Sequence, residues 1–486
     1  MALNSFNFLV CFAFLFVLML ILEVIKKLTK SKILSSVQLI ALLLFSYSLV
    51  FLADWRFCAC ILFATALTYL LALGMEKAES TRAQKAFLSV GVSALVLMLG
   101  YFKYTNFFIS GFCALFSVQP STLNIILPVG ISFYTFSAIA YLIDVYRKKY
   151  DAVKNIIFFS LYIVFFPKLS SGPIVRGKIF FPQVENYRGI KVKNVCDGIQ
   201  IFVFGLFKKI VLADHLGVFV NNVYSSPSAY STATVILAVL SYSLQIYFDF
   251  SGYSDMAIGI SKMLGFDFER NFNLPYIATS FSDFWRRWHI SLSSWFMEYL
   301  YFPLGGSRKG TLRTCANLLI VMLISGLWHG AGITFILWGL LYGIASCIEH
   351  LLKKKNAVKN RCPILNSIKA IVIFIVVTIF WIPFRATSLS NMLDVLKGCF
   401  TLQHGIWHPY SWTFFALLCL IVSIIFAVIK SKRNGIKDKN GQLYINGYYP
   451  LMNLKKFVPL CVFFIFCGLT LILGYFGNTA FIYGAF

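Results

Sequence analysis

Runs of about twenty apolar residues, repeated from one end of the chain to the other, restrict its fold more than any other feature. A hydrocarbon core about 30 Å thick is crossed by roughly 20 residues of α-helix. Runs that cross it or enter it occupy residues 6–25, 33–52, 57–74, 87–116, 125–146, 156–167, 199–212, 234–264, 316–348, 368–384, 412–430 and 457–476. The first has no charge between Met1 and Glu23. It is too long for a cleavable signal peptide and lacks the basic flank of one, so it reads as the first span. A closed β-barrel would instead alternate apolar and polar positions over ten-residue segments. With 59% of its 486 residues hydrophobic and 13% charged, the chain has too little polar surface for a water-exposed exterior. The expectation is an all-α integral membrane protein with one polytopic domain spanning residues 1–486.

A formal charge of +25 in a soluble protein would suggest a nucleic-acid partner. Here Lys and Arg gather in short connections, at residues 26–32, 147–154, 353–361 and 430–456. That distribution fits the positive-inside rule, with these segments cytoplasmic and both termini outside. Anionic lipid accounts for the same charges, and no nucleic-acid partner is expected. Of the twelve cysteines, those inside apolar runs (Cys11, Cys315, Cys419, Cys461 and Cys467) read as buried thiols. There is no CxxC pair, HExxH, Walker loop or GxGxxG, so neither a metal nor a bound cofactor is expected.

Two irregular stretches stand out. The run from Ile156 is short and ends in FFPKLSSGPIVRG, which reads as backbone that dips into the membrane without crossing it. Such backbone is tolerated at that depth only under a cover of protein or beside a wet cavity. The polar segment 431–450 reads as a solvated loop.

Three segments carry candidate chemistry. Between Arg313 and Glu349 there is no Lys, Arg, Asp or Glu, yet the centre reads SGLWHGAG, placing Ser325, Trp328 and His329 together. The stretch is longer than one straight span and too short for two, which predicts a tilted or broken helix near Gly330 and Gly332. An isolated imidazole at membrane depth serves either chemistry or as a hydrogen-bonding link between helices, and spacing does not choose between them. In DFWRRWHISLSSWFMEYLY, helical spacing sets Trp285, His289, Leu292, Phe296 and Tyr299 on one inward stripe, with Arg286 and Arg287 pointing elsewhere. The same composition suits an interfacial helix. Finally, YFDFSGYSDMAIG places Asp249 and Asp255 in an apolar run, either to orient a histidine or line a polar path, or to cap a helix broken at Gly252.

The strings YFDFSGYSDMAIGISKMLGF, NFNLPY, SFSDFWRRWHISLSSW, YLYFPLGGSRKG and ISGLWHGAGITFILWGLLYG resemble the bacterial membrane-bound O-acyltransferase (MBOAT) family, nearest its alginate- and peptidoglycan-acetylating branch. The similar block covers residues 166–343. A terminal Phe481-Ile482-Tyr483 is similar as well, whereas Met297-Glu298 and Gly484-Ala485-Phe486 depart from the usual pattern. The resemblance implies about 11 transmembrane helices with re-entrant and interfacial helices around a central tunnel. It also implies that His329 is the family's invariant histidine and His289 its second.

The expected activity is transfer of an acetyl group from a cytoplasmic thioester, most simply acetyl-CoA, toward an exported polysaccharide such as an alginate-like polymer or peptidoglycan. His329 would be the base, with Asp249, Asp255, Trp328 and Ser325 lining or orienting the path. The setting would be a bacterial inner membrane, with an esterase-like extracytoplasmic acetyltransferase as partner. Two alternatives remain at this stage: a D-alanyl transferase of teichoic-acid modification, and a proton-coupled transporter or flippase.

Overall fold

In a computed structural model of the chain, the described residues are 3–119, 123–355, 363–436, 445, 447, 449–477 and 482. Residues 481 and 483–486, the basic stretch 356–361 and much of the segment 431–450 lie outside them. Among the described residues nine helices are long and apolar enough to cross a membrane, and Ile131–Tyr146 and Phe457–Leu473 are shorter apolar helices. The only strand-like pairing described is an isolated bridge between Tyr230 and Ile406. Contacts divide the chain into two compact units, Met1–Phe202 with Met256–Glu269, and Val203–Asp255 with Arg270–Phe486.

The first unit begins with Phe6–Thr29, capped by Ser5, whose hydroxyl accepts from the Phe8 amide. Phe8, Phe12, Leu15, Met19 and Glu23 recur every three or four residues and form its buried stripe, while Phe6, Phe14 and Val17 face outward. The buried carboxylate of Glu23 is held by Lys26 at 3.2 Å, by Gln38 of the next helix at 3.3 Å and by the Ile190 amide at 3.3 Å. Lys26 also donates to the Arg188 carbonyl. The loop 187–190 is thereby fastened to the first helix. Gly189, at φ 81, lies so close to Glu23 that an added Cβ would overlap the carboxylate.

The segment expected to dip into the membrane forms a short helix followed by buried, mostly non-helical backbone. Helix Ile156–Val164, capped by Asn155, has nine residues, about 14 Å of rise and less than half a bilayer. A four-residue turn, Phe166–Leu169, follows, and residues 171–176 continue without helix, all buried. Protein covers this backbone: Phe165 packs on Phe266, and the Lys168 ammonium sits 4.4 Å above the centre of the Tyr162 ring.

In the second unit the predicted run 316–348 becomes two helices, Thr311–His329 and Ile333–Lys355, with the turn at Gly330–Gly332. Two spans fit because the helices extend past the run at both ends, starting at Thr311 and running on to Lys355. Glycines bring the two helices together, since a Cβ on Gly326 would strike the Phe335 carbonyl and one on Gly339 the Met322 carbonyl. The segment 283–301 is likewise not one helix. It is split into Phe281–Trp285, Ile290–Phe296 and a π-helical turn, Met297–Tyr301, with His289 at φ 41 at the break. Residues 199–212 divide into Val192–Leu206 and a π-helix, Phe207–Ala213. Helix Thr232–Met263 has no break at Gly252, whose bare Cα instead lets the Gly205 carbonyl approach. The eleven described cysteines are free and half-buried, not in the core.

Candidate active site

All the candidate residues lie in the second unit. His329 is the last residue of its helix, 1% exposed, with Ser325 buried one turn earlier. Three rings meet its imidazole edge to face: Trp328 at 4.9 Å, Trp338 at 5.0 Å and Phe384 at 5.2 Å between centres. Gly330 lets the chain leave the helix in extended form, and a Cβ there would strike the Phe335 ring, itself packed on Phe384. His329 thus stands at the tip of a glycine-packed helical hairpin, in an aromatic cage.

His289 is equally buried, but by a different construction from the predicted stripe. It precedes Ile290–Phe296 with its backbone in the left-handed region, uncommon for a residue with a Cβ. Its Nδ1 lies 3.2 Å from Asn271 Oδ1, and Phe250 meets its ring edge-on at 4.6 Å. Burial pushes its pKa down to about 3, so the imidazole is neutral at physiological pH. Trp328 faces both histidines, 6.1 Å from the His289 centre and 4.9 Å from that of His329. The two predicted histidines therefore share one aromatic neighbour.

Arg287 does not point away as its spacing suggested. It is 5% exposed, bonds Asp283 at 3.1 Å and donates to the Asn273 and Ile445 carbonyls. Ile445 belongs to the segment expected to be a solvated loop. Gly447 also donates to Asn273, and the Tyr449 hydroxyl donates to Asp255 at 2.7 Å. This end of the loop is docked on the site's scaffold.

The aspartates meet lysines. Asp249 lies 2.7 Å from Lys209, which also binds Asp214 at 2.7 Å, and Asp249 accepts from the Ile482 amide at 2.8 Å. Asp255 binds Lys208. The π-helix Phe207–Ala213 aims these two successive lysines at carboxylates six residues apart on Thr232–Met263. π-Helical turns are rare and concentrate at functional sites. The group found on His289 is an amide, Asn271, rather than either aspartate. Asn271, Lys208 and Lys209 were not anticipated, although Asn271 begins the NFNLPY string. Among the described residues no cluster of His, Cys, Asp and Glu could hold a metal ion.

Residues 151–389, which include both histidines, Asn271 and both aspartates, match the model of MBOAT, the membrane-bound O-acyltransferase family. A probable alginate O-acetylase AlgI of Pseudomonas aeruginosa is 42% identical over 373 residues, covering 75% of this chain and 70% of that protein. A peptidoglycan O-acetyltransferase of Helicobacter pylori is 37% identical, covering 72% of each chain. A teichoic acid D-alanyltransferase of Bacillus subtilis is 29% identical, covering 48% of this chain and 61% of the other. With two buried histidines inside the matched block and this degree of likeness over most of its length, the chain belongs to the membrane-bound O-acyltransferase family, in the branch of the alginate O-acetylases, and is a multi-pass membrane O-acyltransferase.

Proposed function

We propose that the protein passes an acetyl group from a cytoplasmic thioester, acetyl-CoA or a related acyl carrier, across a bacterial inner membrane toward an exported polysaccharide, either an alginate-like polymer or peptidoglycan. The observation that carries this reading is the pairing of buried His289 and His329 around Trp328, within a block similar to acetylases of both polymers. A thioester is already activated, so transfer to a hydroxyl chiefly requires a neutral base that removes the hydroxyl proton as the new ester bond forms. His329 is that base. It takes the proton while the thiolate leaves with the bonding pair, and returns it to the thiolate. His289 holds the acceptor, and the ring cage excludes water that would hydrolyse the donor. The polysaccharide is reached directly or through an esterase-like extracytoplasmic partner. The basic connections, including 147–154 and 430–456, face the cytoplasm, and both termini face outward.

The test is the O-acetyl content of envelope and secreted polysaccharide in cells making wild-type protein, His329→Ala or His289→Ala at matched levels. Loss of a general base costs about 10²–10⁴-fold, so His329→Ala should abolish measurable acetylation. Wild-type O-acetyl content in that variant defeats the proposal. D-alanyl ester in place of acetyl would move the protein's substrate to that of its more distant relatives.

A further inference from the structure

Asn271 is held from four directions. Its Oδ1 lies 3.1 Å from the Ser291 amide nitrogen, 2.9 Å from Ser291 Oγ and 3.2 Å from His289 Nδ1, while its Nδ2 donates to Ser254 Oγ at 3.3 Å. Its own carbonyl accepts from the Ile290 amide at 2.9 Å. A backbone amide can only donate, so the side-chain atom facing Ser291 is oxygen, and the orientation of the Asn271 amide is fixed by partners other than the histidine. An amide oxygen only accepts. Whatever stands against it at His289 Nδ1 must therefore bring a hydrogen.

We infer that Asn271 is a positioning residue, which locks His289 as the Nδ1–H tautomer and so leaves the lone pair on Nε2 to accept a hydrogen bond from a second hydroxyl of the acetyl acceptor, beside the one that His329 deprotonates. The ligand class follows from the geometry: Nε2 in this form recognises an O–H donor. It gives no donor hydrogen to a thioester carbonyl, which separates the task of His289 from stabilisation of the oxyanion. Phe250 edge-on at 4.6 Å and Phe272 near-parallel at 6.4 Å hold the ring plane, so Asn271 decides the remaining variable, the site of the proton. The left-handed backbone at His289 belongs to the same device, for it turns Ile290 and Ser291 back so that their amides reach Asn271. The inference rests on the reading above that His289 takes part in transfer.

The direct measurement is the ¹⁵N spectrum of the full-length protein in detergent, labelled at histidine, with the His289 signals assigned by difference from His289→Gln among the chain's 6 histidines. A protonated Nδ1 and unprotonated Nε2 are expected in the wild type and in Asn271→Asp. In Asn271→Leu the Nε2–H form should appear, with O-acetyl content down at least about tenfold, inside the range up to about 10⁴ that a wrong histidine tautomer costs. Asn271→Asp should retain most activity, because it preserves the acceptor oxygen. An Nε2–H tautomer in the wild-type spectrum overturns the inference, as does an Asn271→Leu variant with wild-type acetylation. If Asn271→Leu fails to fold, the wild-type spectrum alone decides. Full activity in His289→Ala, by contrast, defeats the functional reading and leaves the tautomer measurable.

Discussion

At φ 41 a residue with a Cβ is held at a cost of order 1–2 kcal/mol, and His289 accepts it at a point where Asn271, Ser291 and Phe250 all converge. Burial adds a second cost with a definite sign. The folded-state pKa lies below the unfolded value of about 6.5, so the stability of the neutral form is complete above that value and declines as pH falls toward about 3. Between pH 7 and 5 the wild type should lose about 2 kcal/mol more than His289→Gln, in chemical unfolding followed in detergent; equal losses would contradict a neutral buried imidazole. His329 was legible because no charge surrounds it for many residues on either side. Asn271 was not: an ordinary polar residue 18 positions from His289 leaves no local trace of its role, and the helical stripe drawn through His289 assumed a continuous helix that the left-handed residue interrupts.

Glycine spacing governs the hairpin that carries His329. Gly326 and Gly339 each bring a neighbouring carbonyl within the volume a methyl group would need, whereas Gly100 on Thr81–Leu115 has nothing within 4 Å. Gly326→Ala or Gly339→Ala should therefore lower stability by about 1–3 kcal/mol and reduce acetylation, with Gly100→Ala near neutral, as read by melting temperature in detergent. The π-helix makes a sharper prediction. Lys209 bridges two buried carboxylates, so Lys209→Met leaves Asp214 and Asp249 without their shared cation and should cost about 3–5 kcal/mol. Adding Asp249→Asn should recover part of that loss. Hydropathy located both regions because apolar runs follow from bilayer thickness. It missed their internal breaks, since a π-turn or a glycine corner changes hydrogen bonding without changing the apolar content of the run.

For the molecule as a whole, apolar side chains such as Phe14, Leu97, Phe112, Phe414 and Phe464 face outward, and polar ones such as Gln38, Asp249 and Lys209 face inward, the reverse of a protein in water. The membrane class was legible from the sequence for that reason, and the two-unit division was not, because it depends on which helices pack together. Topology is open to measurement: cysteines placed at Lys148 and Lys432 in a cysteine-free background should react with an impermeant maleimide only in inverted vesicles, and labelling of intact spheroplasts would reverse the orientation argued from the basic segments. Thr232–Met263 is the least apolar of the nine candidate spans, and 83% of its most apolar window is buried by the rest of the protein. Ser241 bonds Thr413 at 2.7 Å, and Ser243 donates to Thr378 at 3.0 Å. When this segment leaves the ribosome Thr378 and Thr413 have not been synthesised, whereas Lys208 and Lys209, which pair with its aspartates, have, so it is the serines that lipid alone receives poorly. It must be sheltered by the insertion machinery for well over a hundred residues of further translation, which makes the middle of the chain, and not its more apolar ends, the step at which biogenesis is most exposed to quality-control proteolysis.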